Sequence, residues 1–169
     1  MILDIIMYGN PILRKKTVPI KEFNTSLSDL FDNMLETMRK AEGVGIAAPQ
    51  VGFNLSAFIV DKNPLVDDSK PIFFINPSIE FLGNETEVEI EGCLSIPQLY
   101  AQVKRAKNIL VKAKDINGNN FELEASDYLA RVIQHEYDHL VGILFIDKVL
   151  PYEKKRVEEF LKDLREKNA

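Results

Sequence analysis

Five strand-patterned runs follow one another between residues 55 and 125, and no helical pattern interrupts them. They read LSAFIVD (55–61), PIFFINP (71–77), TEVEIEG (86–92), NILVKAKD (108–115) and FELEA (121–125). The third and fifth alternate apolar with acidic residues, as strands with one wet face do. Parallel neighbours need a crossover of a dozen or more residues, usually a helix. None is offered here, so the runs must pair antiparallel. Asn117-Gly118, between the last two, signals a hairpin turn.

Helical patterns lie outside that block. Residues 26–42 place Leu27, Leu30, Phe31, Met34, Leu35, Met38 and Ala41 on a 3.6-residue rhythm. Ser26 is placed to cap that helix with Asp29 as capping-box partner, and Gly43 to end it. A second helix is expected from Ser126, a good cap, to about Val141, where Gly142 stops it. A third starts near Pro151 and presents Val157, Phe160, Leu161 and Leu164 as its apolar face. This order defines an α+β fold, with antiparallel sheet packed around the helix that starts at Ser126. The 169 residues, 46% of them hydrophobic, suit one domain spanning 1–169.

Both histidines of the chain fall in QHEYDHL (134–140), four residues apart. On a helix that spacing stacks His135 above His139 on one face, where they can share a metal ion. Glu136 stands beside His135, within reach of a water at that metal without being a ligand. This is the H-E-x-x-H arrangement of hydrolytic metal sites. A catalytic site needs a third protein ligand, and no third histidine exists. Cys93, in EIEGCLSIP, and the downstream Glu158 and Glu159 are the candidates. A thiolate with two imidazoles makes a borderline-soft site suited to zinc or ferrous iron, which favours Cys93 on chemistry.

The segment GVGIAAPQVG (43–52) lacks the lysine and spacing of a phosphate loop. Its small residues let backbone approach a ligand closely, and its main-chain groups can pair with a peptide as a strand would. Gln50 is its one polar side chain and can offer an N–H to an oxyanion.

Composition excludes several classes. A net charge of −5 weighs against a nucleic-acid surface. No apolar run is long enough to span a bilayer, and the N-terminus MILDIIMYGNP lacks the features of a secretory leader, so a cytoplasmic protein is expected. The single cysteine rules out an internal disulfide and fits a reducing compartment.

Taken together, GVGIAAPQVG, EGCLS and QHEYDH resemble the peptide deformylase family, in its order and over nearly the whole chain. The helical C-terminus is similar to that of the bacterial type. The resemblance implies an α+β fold with a metal helix surrounded by sheet, and removal of formate from the N-formylmethionine of new polypeptides. It assigns Cys93, His135 and His139 as metal ligands, Glu136 as catalytic acid and base, and Gln50 with the Leu94 backbone N–H as oxyanion donors. It implies Fe2+ as the ion in the cell, with Zn2+, Ni2+ or Co2+ able to take its place.

The resemblance also places Val44, Gly45 and Ile46 in the strip expected to contact substrate backbone. Tyr128, Arg131 and Val132 share the His135 face and are expected to wall the pocket for the methionine side chain. Arg131 departs from an aliphatic family pattern; its stem is expected to line the pocket while its charge reaches solvent. Asp138 is expected on another face, solvated or packing the helix. Glu91 resembles a family glutamate paired with a downstream arginine, here Arg105. Lys154, Lys155 and Arg156 on the last helix are candidates for a ribosome contact. Membrane attachment and sequence-specific nucleic-acid binding are not expected.

Overall fold

The computed structural model describes residues 1–61 and 70–167. In chain order it holds α1 (Thr25–Lys40), β1 (Gly45–Ala47), β2 (Ala57–Asp61), β3 (Pro71–Phe81), β4 (Thr86–Cys93), β5 (Ile96–Ala106), β6 (Asn108–Lys114), β7 (Asn120–Ser126), α2 (Asp127–His139) and α3 (Lys154–Lys167). Every strand pair is antiparallel, as the missing crossovers require. One sheet runs β1-β2-β3-β6-β7, and β4-β5 form a second. The result is the expected α+β fold. No helix among the described residues is long and apolar enough to cross a membrane.

Two strands exceed the sequence reading. β5 was hidden by Pro97, which reads as the end of an extended run. It sits one residue past Cys93↔Ile96, the pair that closes the β4–β5 hairpin around Leu94-Ser95, so the strand continues beyond it. β1 is only three residues long. The β6–β7 hairpin forms where Asn117-Gly118 placed it, but its loop takes in residues 115–119. Asp115 Oδ1 accepts from the Asn117 and Asn119 amides there.

α1 starts one residue before the expected Ser26, because Asn24 is the cap: its Oδ1 accepts from the Leu27 amide. The helix closes with Glu42 N–H on Arg39 O and Gly43 N–H on Met38 O, a Schellman pair. The left-handed position falls on Glu42 rather than on Gly43. Leu27, Leu30, Met34 and Met38 bury this helix on β1, β2 and β3. Each such side chain contributes about 1.5–3 kcal/mol when fully buried.

α2 lies against the other side of that sheet through Ala130, Val132, Ile133 and Leu140, packing on Phe58, Phe74 and Val111. Ser126 stands at its N-cap position, yet the hydroxyl donates to Asn108 Oδ1 instead of capping. Gly142 ends the run in the left-handed region, and a β-carbon there would collide with the Arg14 carbonyl oxygen. α3 docks by Val157 and Leu161, with Phe160, against β5 and the 3-10 turn at Phe145–Asp147.

Candidate metal centre

Two separate elements supply the site. α2 carries His135, Glu136 and His139 on its buried face, and the end of the β4–β5 hairpin carries Cys93. Between Glu91 and Cys93 the strand register slips. The bulge turns the sulfur toward the helix, where Cys93 Sγ lies 3.5 Å from His139 Nε2. One ligand atom from each of Cys93, His135 and His139 falls within 4.8 Å of the others, the one such cluster of three among the described residues. Glu158 and Glu159 are exposed on α3, and Glu158 lines a different cleft with Tyr8 and Arg14. Of the candidate third ligands, only Cys93 is with the histidines.

Each histidine is held differently. His135 Nδ1 lies 2.9 Å from Glu91 Oε1, which leaves Nε2 for the cluster. Burial alone would lower the His135 pKa, but hydrogen bonds to Cys93 and Glu91 and the charge of Glu136 outweigh it and hold the ring well above its ordinary value. His139 moves the other way: burial, then the charges of His135 and Arg105, push it well below. Its Nδ1, buried, finds no hydrogen-bond partner among the described residues.

Glu136 is buried, and its Oε1 also lacks a hydrogen-bond partner there, with His139 Nε2 4.0 Å away. Burial, reinforced by the charges of Glu91 and Asp138 against those of His135 and Arg105, raises its pKa to about 7. Orphaned buried acceptors cost free energy unless something outside the protein satisfies them. A thiol, two imidazoles and an unpartnered carboxylate oxygen, all converging, fit a divalent cation with a water beside it.

Beneath the histidines lies a charge network. Glu91 accepts from Arg105 Nε and Nη2 at 2.8 and 2.9 Å, the expected pair. The same carboxylate also accepts from Arg131 Nη1 at 2.6 Å. Arg131 therefore corrects the sequence reading: its guanidinium does not reach solvent but is buried at 5% exposure against Glu91. Of the two readings of Asp138, the solvated one is overturned: it is buried and ion-paired with Arg105 at 2.5 Å and Lys148 at 3.0 Å. Desolvation would raise the Glu91 pKa, but hydrogen bonds and charge from Arg105 and His135 hold it well below the usual carboxylate range.

Cys93, His135 and Glu136 line a cleft of about 570 Å³. Val44, Gly45, Gln50, Leu94, Tyr128, Arg131 and Val132 line it, joined by Ile90 of β4 and by residues 96–100 of β5, the strand absent from the sequence reading. Tyr128 stands exposed at the rim and Val132 is buried. The Ile46 side chain packs into the core under α1. Gln50 Oε1 accepts from the Ala47 amide. That turns its Nε2 toward Ser95 Oγ at 3.1 Å and Cys93 Sγ at 3.5 Å.

A buried H-E-x-x-H helix with a thiol converging on its two histidines beside a cleft, on an antiparallel α+β scaffold, defines a hydrolase of the metal-dependent kind. Comparison with known proteins narrows this. Residues 2–155 match the family model of polypeptide deformylase. The peptide deformylase of Thermodesulfovibrio yellowstonii is 45% identical over 91% of this chain and 93% of its own, and that of Methylacidiphilum infernorum 40% identical over 100% and 96%. Among solved structures, a variant of peptide deformylase 1B from Arabidopsis thaliana superposes with a TM-score of 0.94 at 36% identity, covering 98% of this chain and 91% of that one. The Thermotoga maritima peptide deformylase gives 0.84 at 42% identity, covering 89% and 99%. The chain belongs to the polypeptide deformylase family, metal-dependent hydrolases that take the formyl group from nascent polypeptides.

Proposed function

We propose that this chain hydrolyses the N-formyl group of formylmethionyl polypeptides with a divalent ion held by Cys93, His135 and His139. The convergence of those three ligand atoms within 4.8 Å carries the reading. A bound divalent ion would supply Lewis acidity and bring the pKa of water toward neutrality. Fe2+ is the ion proposed for the cell, because thiolate and imidazole suit it; Zn2+, Ni2+ and Co2+ fit the same donors.

The residues divide the remaining work. Glu136 accepts the proton of the attacking water as a C–O bond forms at the formyl carbon. Charge gathers on the former carbonyl oxygen, where Gln50 Nε2 and the Leu94 N–H donate. Glu136 then delivers its proton to the departing nitrogen as the C–N bond breaks, leaving formate and a free amino terminus. A carboxyl group with a pKa of about 7 suits both halves of that exchange.

Val44 and Gly45, beside the cleft, offer main-chain groups to the peptide. β1 is an edge of its sheet, so an extended substrate can add to it as a strand. Tyr128, Val132 and Leu94 give the methionine side chain apolar surface, and the stem of Arg131 adds to that wall. The whole chain acts in this proposal as one catalytic domain of the cytoplasm. Lys154 and Lys155, exposed on α3, are offered to the ribosome, whereas Arg156 is engaged with Tyr100 O and Glu153.

Formate release from a formyl-Met peptide, measured with metal content on anaerobically prepared protein, tests this. Cys93→Ala is expected to lose the metal, and Glu136→Gln to keep it while losing activity. A Cys93→Ala protein that binds metal as the native chain does would overturn the ligand set.

A further inference from the structure

The proposed metal centre is split between two bodies. His135 and His139 ride on α2, packed against the five-stranded sheet, while Cys93 rides on the β4–β5 hairpin. Whatever fixes the hairpin against the helix also fixes the sulfur against the imidazoles. Arg131 spans that gap. It lies one helical turn before His135 on the same face of α2. Its three side-chain hydrogen bonds among the described residues end on the hairpin: Nη1 donates to Glu91 Oε2 at 2.6 Å and to Val103 O at 2.9 Å, and Nη2 to Glu87 O at 2.7 Å. Val103 and Glu87 belong to opposite strands of the hairpin, so one guanidinium grips both.

Its contact with Glu91 reaches further. Each Glu91 oxygen accepts two donors: Oε1 from Arg105 Nη2 and His135 Nδ1, Oε2 from Arg105 Nε and Arg131 Nη1. Arg105 belongs to β5, so its grip on Glu91 is internal to the hairpin. Arg131 and His135 are the two α2 donors to this carboxylate, and Arg131, itself no proposed ligand, holds the oxygen pair in the orientation that sets the ring of His135.

We propose that Arg131 is a positioning residue of the metal centre, acting through Glu91 on His135 and through the hairpin backbone on Cys93. A planar fork is needed: a lysine ammonium is a point donor and cannot reach three acceptors spread over two strands and a carboxylate. The proposal rests on the ligand set above.

Co2+ titration of metal-free protein separates the cases. The thiolate-to-cobalt absorption band reports Cys93, chelator competition reports affinity, and thermal melting of the metal-free form reports the fold. Arg131→Met, which keeps the stem, is expected to weaken Co2+ binding by at least about tenfold and to alter the band. Arg131→Lys is expected not to restore either. A variant that melts earlier but keeps native affinity and a native band overturns the proposal, since the arginine is then structural only. Should Arg131→Met fail to fold, Arg131→Lys, which retains the charge, carries the test by the same criterion. Absence of the thiolate band from the native protein would instead overturn the ligand set itself.

Discussion

A β-carbon placed on Gly45 would stand 2.6 Å from Oε2 of Glu136, so the edge strand and the proposed catalytic carboxylate are in contact with no room for a side chain between them. Gly45 needs no left-handed backbone; its absence of bulk is what the site uses. Gly45→Ala must push the Glu136 carboxyl aside or open β1 from α2. Because a displacement of about 1 Å can cost 10²-fold in rate, kcat for formate release is expected to fall ten- to a hundredfold. Neither residue is a proposed ligand, so metal content stays native. Unchanged kcat in a well-folded Gly45→Ala protein would detach Glu136 from the chemistry.

Glu136 carries a stability penalty that pH should reveal. Its folded pKa of about 7 lies above its ordinary 4.5. An acid raised on folding favours the folded state while protonated, so stability falls as pH rises from 4.5 through 7. Above 7 the penalty is on the order of 3 kcal/mol. Glu136→Gln cannot ionise and escapes it. Metal-free Glu136→Gln is therefore expected to melt higher than the metal-free native protein at pH 8 and to match it near pH 4.5. A gap of the same size at both values would show that the carboxyl is not held protonated by burial.

The parts legible in the sequence are those governed by local periodicity. The H-E-x-x-H spacing, the apolar rhythm of α1 and the alternation in β4 and β7 need only near neighbours to be read. β5 was legible as well: Leu99, Ala101 and Val103 alternate inward, and Pro97 at the hairpin end masked them. Arg131 was not. A buried arginine is recognised by its partner, and Glu91 stands 40 residues earlier on a strand that only folding brings beneath α2. The partner of Asp138 was hidden for the same reason, since Arg105 lies 33 residues away.

The Glu91 network should set the acid limit of the fold. Glu91 is held well below its ordinary pKa of 4.5, so it stabilises the folded state above that value and loses the contribution as pH falls through the folded one. Glu91→Gln removes the anion between two buried guanidinium groups. Breaking a buried pair from one side costs about 3–5 kcal/mol. Chemical denaturation at pH 7 is expected to show a loss of that size, shrinking steadily below pH 4.5, where the native protein gives up the same term. A difference that stays constant down to pH 3 would mean that the carboxylate contributes shape rather than charge.

Gln50 offers the sharpest separation of binding from chemistry. It is buried at 1% exposure, and its orientation is fixed because Oε1 already accepts from the Ala47 amide. Nε2 is therefore the end presented to Ser95 and Cys93. Gln50→Asn keeps the amide but falls one methylene short of that position. If the N–H serves the oxyanion, the loss appears only as charge develops. Then kcat should drop by about 10²–10³ while KM for formyl-Met peptides barely moves. Metal content gives the alternative its own signature. Nε2 also lies 3.5 Å from Cys93 Sγ, so a Gln50→Asn protein that loses metal together with activity would place the amide in the service of the sulfur rather than of the substrate.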